Sequence, residues 1–407
     1  MTMDRTIVIF GAGKIGRSFI GQLFSRSGYR AVFIDIFAPV IEELNRRGGY
    51  EVVIKGEQET VIPVTNVSGI RADQSDKVAE AVARADIAAT CVGKNALPSV
   101  FPLITAGLEK RAADSGESNP LDIIIAENIR DARKLFSREL RKQLHPGYPF
   151  DTAVGLVETS IGKMVPIMSR KDIEEDPLRV FAEPYNTLIV DRNGFRNEIP
   201  EIPGLAPKDN MKAWVDRKLF IHNLGHAVTA YAGYVHDPGM KYIYEVLASD
   251  RLCAFVRGAM TQSARALEQE YSGEFTSEDL DAHISDLVSR FQNRALGDTV
   301  YRVGRDIRRK LGPRDRLAGA VRLCIRHSVD ITAMLWGLVC GYFFRSTDEE
   351  GRMFPGDREV ERDFFSRGPR FMLTEVSGFN PGQDDEIIKQ GELFFKRIQQ
   401  GKLPWKG

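Results

Sequence analysis

Residues 6–35 constrain this chain more than any other stretch. Thr6-Ile-Val-Ile-Phe10 is a β-branched run of the kind a buried parallel strand needs. Gly11-Ala-Gly-Lys-Ile-Gly16 follows at once, and then a helical pattern that sets Ile15, Phe19 and Leu23 on one face. Ser27-Gly28 ends that pattern, and a second strand, Ala31-Val-Phe-Ile34, closes on Asp35. Strand, glycine turn, helix and strand in this order form a βαβ unit, which commits the chain to a parallel sheet with helices on its faces.

The glycines in that turn have separate uses. Gly11 permits the tight turn, Gly13 lets the backbone approach a pyrophosphate, and Gly16 allows the helix to pack closely on the strand. The pyrophosphate would lie over the helix N-terminus, on its free N–H groups. Asp35 is placed to accept hydrogen bonds from an adenosine ribose and to repel a 2′-phosphate, so NAD is the expected cofactor. Arg30 and Lys14 are the residues that could soften this preference.

Further strands are expected at Glu51–Ile54, Thr60–Val64, Asp86–Val92 and Asp122–Ala126, with a turn-rich loop over 113–120. In a doubly wound sheet the ligand lies beyond the carboxyl ends of the strands, so Val92-Gly93 should border it. Gly11, Gly13, Ile15, Gly16, Asp35, Val92 and Gly93 are the expected cofactor contacts. Asn128, just past the Asp122–Ala126 strand, either reaches the nicotinamide or the substrate, or caps the next helix as a turn former.

From 150 to 200 the pattern changes to short extended runs such as Thr187–Val190. Ile199–Pro207 then carries three prolines and a glycine, and reads as a boundary region. It divides the chain into a nucleotide-binding domain, 1–203, and a helical domain, 204–407. In the second domain apolar residues recur at helical spacing over Lys212–Tyr231, Tyr242–Tyr271, Asp279–Gln292, Asp315–His327 and Thr332–Phe344, and β signals are nearly absent. The expected ligand site is the cleft between a nucleotide-binding sheet and a helical partner.

Lys212–Tyr231 has an unusual polar face. At roughly 100° per residue from Lys218, the residues Phe220, Ile221, Leu224, Ala227, Val228 and Tyr231 share one arc of about 180–300°. Lys218, Thr229, His222, His226 and Asn223 share the opposite one, at about 0–140°. A surface helix would carry mixed Lys and Glu there. An amine, two imidazoles and a carboxamide are instead the groups of a reactive cleft, with His222 expected to support the others.

Composition excludes several classes. Acidic and basic residues balance at 56 each, so no global field favours nucleic acid or an anionic membrane. The apolar run Ile331–Phe344 is shorter than the roughly 20 residues of a spanning helix. The start has no signal-peptide pattern, and four scattered cysteines, Cys91, Cys253, Cys324 and Cys340, suggest neither disulfides nor zinc, so a reducing cytoplasm is expected. One segment departs from neutrality: Arg302, Arg305, Arg308, Arg309, Lys310, Arg314 and Arg316 face only Asp306 and Asp315. They form either a solvated, partly paired face or a site for an anionic substrate, whose phosphate or carboxylate would be held by guanidinium forks.

A nicotinamide beside such a face points to hydride transfer. Oxidising a secondary alcohol needs a base for the hydroxyl proton and donors for the developing alkoxide. No Cys/His spacing supports zinc. A lysine serves when burial and nearby cations bring its pKa down from about 10 toward neutrality. Asn128 and Asn223 can polarise the oxygen, and His226 can fix Lys218 or bind a hydroxyl.

Phe10–Gly21, the run IIIAEN at 123–128, the K-x4-N-x2-H pattern of Lys218, Asn223 and His226, and the basic segment Arg302–Leu311 together resemble the long-chain, metal-independent polyol dehydrogenases, and within them the phosphate-specific branch. The resemblance covers nearly the whole chain. It implies a Rossmann-type dinucleotide-binding domain followed by a mostly α-helical substrate domain, with NAD as cofactor. It makes Lys218 the general acid/base, Asn128 and Asn223 the groups polarising the substrate oxygen, and His226 the substrate-orienting histidine. Arg302, Arg305, Arg309 and Lys310 fall beside the substrate. The implied reaction interconverts a phosphorylated polyol and a ketose phosphate, mannitol 1-phosphate and fructose 6-phosphate. The rivals are the same chemistry on a free polyol or a hexuronate, and a non-catalytic NADH-sensing protein. Three departures bear on that choice: Gly162-Lys163 stands where the family has Asp-Arg, Lys14 where the branch has Asn, and Ile307 where it has Pro.

Overall fold

Strand β1 (Thr6–Phe10) has β2 (Arg30–Asp35) on one side and β6 (Ile87–Thr90) on the other, all parallel. Alternate residues of these strands enter different cores. Ile7, Ile9 and Phe33 join one apolar cluster, whereas Val8, Phe10, Val32 and Ile34 join a second. A strand buried on both faces must be apolar at every position, which is why the run Thr6–Phe10 does not alternate.

The computed structural model describes residues 5–115 and 119–406, and the chain falls into two units, Met1–Trp214 and Val215–Gly407. In the first unit, β3 (Gly49–Lys55) and β4 (Glu59–Thr65) form an antiparallel hairpin, and β9 (Val180–Ala182) pairs parallel to β3. The main sheet also contains β5 (Val67–Arg71), β7 (Leu121–Ile125), β8 (Val154–Ser160), β10 (Leu188–Asp191) and β11 (Leu205–Lys208), in the order β11-β10-β8-β7-β6-β1-β2-β5. All of its pairs are parallel except β8 with β10. Strand order reverses at β1, and the crevice beyond the carboxyl ends of β1 and β6 is the ligand position of such a sheet.

Part of the segment read as the boundary region is sheet. Leu205–Lys208 adds to β10 as an edge strand, a position that tolerates Pro207 because one side of an edge makes no ladder bonds. The helix Leu97–Ser115 runs into the loop expected over 113–120, of which residues 116–118 lie outside the described set.

The described part of the second unit is helical, with Tyr242–Thr299 as an isolated β-bridge. Helix Thr332–Tyr342 is its core: every residue from Met334 to Tyr342 is buried, and it packs on Asn223–His236 and Asp250–Glu270. No described helix is long and apolar enough to cross a membrane. The approach of Asn223–His236 to its neighbour is close, since a Cβ on Gly225 would lie 2.5 Å from the Met260 sulfur. The helix expected over Tyr242–Tyr271 is two helices, Ile243–Leu247 and Asp250–Glu270, because Ser249 caps the second by accepting from the Leu252 N–H. Two further helical segments, Pro355–Phe371, broken by a kink at Gly368, and Asp385–Gln399, add to those expected.

Candidate active site

The dinucleotide loop is fixed group by group. Gly11, at φ +104°, donates its N–H to the Ile34 carbonyl at 2.8 Å. The Ala12 N–H donates to Asp35 Oδ2 at 2.7 Å, and the Ala12 carbonyl accepts from Arg17 Nε at 2.7 Å. A Cβ on Gly16 would stand 2.0 Å from the Gly11 carbonyl oxygen, so only glycine fits there. A Cβ on Gly13 would meet nothing within 4 Å. That open side, at the start of a helix, is where backbone can approach a pyrophosphate, and it is the observation that fits the residues to a dinucleotide. Ile15 is half-buried against one apolar core, so its side chain supports the loop.

Asp35 also accepts from the Phe37 N–H at 2.9 Å, which places its carboxylate and the glycine loop in one hydrogen-bonded set. After β6, the Val92 and Gly93 N–H groups donate to the Glu127 carboxylate at 2.8 and 2.9 Å. Burial pushes the Glu127 carboxyl up while those two bonds hold it down. Val92 and Gly93 therefore border the crevice with their amides already engaged. Asn128, next to Glu127 past the end of β7, is exposed. Lys163 does not project into that space: its buried ammonium donates to the Tyr185 carbonyl and the Asn186 Oδ1, both at 2.8 Å. The departure at Gly162-Lys163 thus ties down the chain before β10.

In the second unit the reactive helix is regular only in part. Met211–Arg217 is α-helical, Lys218–His222 is a π-turn, and Asn223–His236 is α-helical again. Phe220, Ile221, Leu224, Ala227, Val228 and Tyr231 are all buried, as the apolar arc requires. The polar arc needs correction. In an unbroken α-helix residues five apart stand about 140° from each other. A π-turn closes its bond over five residues, so Lys218 and Asn223 align about as an i,i+4 pair does. The wider turn narrows the arc that holds Lys218, Asn223 and His226.

The electrostatics of this face are cationic. Burial, and then the Arg316 guanidinium, bring the half-buried Lys218 ammonium down to about 8. His226 stacks on Phe291 at 4.7 Å, and its Nε2 lies 3.2 Å from Asp298 Oδ2. Burial first, then Arg302, Lys310, Arg316 and Arg290, hold His226 well below the ordinary histidine range, so it is neutral at pH 7. His222 is buried against Phe291 and His226 and is lowered in the same way by burial and Arg290.

The basic segment is anchored before it is functional. Asp306 is left-handed at φ 71°, and the buried Asp357 carboxylate accepts from the N–H groups of Asp306 and Ile307 at 3.0 and 2.7 Å. Arg302 pairs with Asp298, and Arg309 with Asp306 at 2.5 Å and Asp315 at 3.5 Å. Lys310 is buried and donates to the Val303 carbonyl at 2.6 Å, its pKa well depressed by burial and by Arg316 and Arg309. Arg305 rests on the rings of Tyr301 and Phe354 and has no carboxylate partner among the described residues. Arg316, the last base of the segment, is buried beside Asp315. Asp298 and Asp357 carry no signal in the sequence. Nothing in their spacing distinguishes them, because folding brings them in from distant parts of the chain: Asp298 from a loop and Asp357 from the helix Pro355–Phe371.

A parallel sheet with a glycine phosphate loop, followed by a helical unit that presents a depressed lysine, a carboxamide and a neutral histidine, defines a two-domain dehydrogenase of alcohol groups. The mannitol dehydrogenase Rossmann domain matches residues 5–204, and the mannitol dehydrogenase C-terminal domain matches residues 210–367. The chain belongs to the mannitol dehydrogenase family, a family of polyol dehydrogenases. Its fold is shared with a D-sorbitol dehydrogenase in substrate-free form, at TM-score 0.79 and 15% identity over 98% of this chain and 94% of the other. It is shared also with Pseudomonas fluorescens mannitol 2-dehydrogenase, solved with NAD and D-mannitol, at TM-score 0.73 and 14% identity over 98% and 93%.

Proposed function

We propose that this polyol dehydrogenase uses NAD and interconverts a phosphorylated polyol and its ketose phosphate, with mannitol 1-phosphate and fructose 6-phosphate as the leading pair. The observation that carries the anionic substrate is the cation set around His226: Arg302, Lys310, Arg316 and Arg290 all bear on it, against the carboxylates of Asp298, Asp315 and Asp286 paired with them. Asp35 supports NAD over its 2′-phosphorylated form. The mannitol 2-dehydrogenase named above was solved with NAD, in keeping with that choice.

Held by the glycine loop and Asp35, NAD would supply hydride acceptance or donation for the carbon that bears the reacting oxygen. Lys218, with its pKa brought to about 8, takes the hydroxyl proton in oxidation and returns it in reduction. The Asn223 carboxamide donates to the developing alkoxide. Neutral His226 accepts from a neighbouring substrate hydroxyl and so orients the chain of the polyol. Asn128 supplies a carboxamide at the carboxyl end of β7, for the nicotinamide or the substrate oxygen.

One observation favours the rival, the same chemistry on a free polyol or a sugar acid. Arg302, Arg309 and Lys310 already have partners, so less of the segment's charge is available than its sequence suggests. NADH oxidation with fructose 6-phosphate, fructose and a panel of keto sugar acids decides the matter. A kcat/KM highest for the ketose phosphate is expected. A preference for fructose or a keto acid overturns the phosphate assignment, and NADH binding without turnover on any of them overturns the enzymatic one.

A further inference from the structure

We infer that Arg17 is a positioning residue for the dinucleotide, acting through the Ala12–Gly13 peptide. Arg17 is 8% exposed, and its guanidinium makes three bonds to carbonyls: Nε to Ala12 at 2.7 Å, and Nη1 to Pro177 at 2.9 Å and Leu178 at 2.5 Å. Its own carbonyl accepts from the Tyr50 hydroxyl at 2.7 Å, which fixes the backbone from which the side chain springs. A buried guanidinium spent on three carbonyls, with no bond to a carboxylate among the described residues, is an expensive way to fill space. Its effect is geometric.

A trans peptide points its C=O and N–H in opposite directions. Asp35 holds the Ala12 N–H, which turns the Gly11 carbonyl the other way, against Gly16 and the Cys91 thiol at 3.3 Å. Arg17 holds the Ala12 carbonyl, so the next N–H, that of Gly13, faces away from Arg17. The Gly13 carbonyl is taken by the Arg17 N–H at 3.0 Å. Of the polar groups on Gly11, Ala12 and Gly13, the Gly13 N–H is the donor with no acceptor among the described residues, and a Cβ on Gly13 would meet only open space. Asp35 and Arg17 thus grip opposite ends of one residue and aim the Gly13 N–H at the place of a pyrophosphate oxygen. Through Pro177 and Leu178, the same guanidinium joins this loop to the segment that leads into β9. The loop is set for the anion before it arrives, which spares binding the cost of ordering it.

The inference rests on dinucleotide binding by the glycine loop, and failure of wild-type protein to bind NADH would remove that premise on its own. Given binding, titrations of wild type, Arg17→Met and Arg17→Lys with NADH, ADP and adenosine test the role. Arg17→Met should weaken NADH and ADP by about 10- to 100-fold, the worth of one hydrogen bond to a charged group, and leave adenosine unchanged. The loss should fall on KM for NADH rather than kcat, and Arg17→Lys, which keeps a donor, should recover part of it. A lowered Tm with unchanged NADH affinity, or equal losses for all three ligands, would make Arg17 a packing residue only. Should Arg17→Met not fold, wild-type protein labelled with 15N-glycine still decides. Exchange of the Gly13 amide should be fast when free and slowed by ADP but not by adenosine. An amide that ADP leaves unprotected overturns the inference.

Discussion

The amide N–H of Asn223 donates to the carbonyl of Lys218, five residues earlier, where an α-helix would close over four. Helices adopt this wider bond rarely, and mostly at functional sites. Here it inserts one residue between the amine and the carboxamide of the K-x4-N pattern and turns both toward the same side. In the proposed mechanism both groups act on one oxygen, the amine on its proton and the carboxamide on its charge.

Loss of the carboxamide should therefore act on the chemical step. Asn223→Ala is expected to lower kcat by about 10²- to 10³-fold, the usual cost of one donor to a developing oxyanion, with NADH affinity unchanged. Asn223→Asp, which puts a negative charge against the alkoxide, should fall at least as far. Steady-state rates with a fluorescence titration of NADH check this, and an Asn223→Ala enzyme with full kcat would remove Asn223 from the mechanism.

The proposed mechanism puts the pH dependence on Lys218. With its free amine as the base for oxidation, kcat/KM for the polyol should rise with pH through about 8 and level off above it. Reduction needs the ammonium, so the same group should make ketose reduction fall as pH rises through about 8. Lys218→Ala should remove both limbs and cost about 10²- to 10⁴-fold in turnover. Arg316→Gln takes away the cation that helps burial depress Lys218, so the limbs should move to higher pH. Profiles unmoved in Arg316→Gln would leave burial as the only cause.

The limits of sequence reading here have a physical origin. The βαβ unit and the apolar arc of the reactive helix were legible because strand and helix periods are local and repeat within a few residues. The π-turn was not, since a wheel drawn at a constant angle cannot register one inserted residue. β11 was hidden by Pro207 and the two prolines before it, which argue for a domain boundary unless the strand is known to lie on an edge. The basic segment was visible as charge, but its anchoring was not. Asp357 lies 51 residues beyond Asp306, and only folding shows which of the arginines Asp298, Asp306 and Asp315 partner.

That pairing changes which basic residue should matter most. Arg309 is held by Asp306 and Asp315, whereas Arg305 has aromatic rings but no described carboxylate. Arg305→Ala should raise KM for a phosphorylated substrate by about tenfold or more and leave the free sugar unaffected, as the loss of a charge-assisted bond requires. Arg309→Ala should do less. Equal effects on phosphorylated and free substrates, or a larger effect from Arg309, would place the anion elsewhere.

Gly13 and Gly16 separate binding from folding within the same loop. At Gly16 a Cβ would sit 2.0 Å from the Gly11 carbonyl oxygen, which is backbone and cannot give way without moving β1 and the turn after it. Gly16→Ala should therefore lower Tm, and NADH affinity with it. At Gly13 a Cβ meets nothing within 4 Å, and the residue does not adopt a positive φ. Gly13→Ala should keep the Tm of the wild type, or raise it slightly by restricting the unfolded chain. The new methyl would nevertheless stand in the space a pyrophosphate needs, so NADH should bind at least about tenfold more weakly, one lost contact to a charged group. Thermal melts and NADH titrations of the two variants check both halves. If Gly13→Ala binds NADH as the wild type does, the open side of Gly13 is not the side on which the dinucleotide lies.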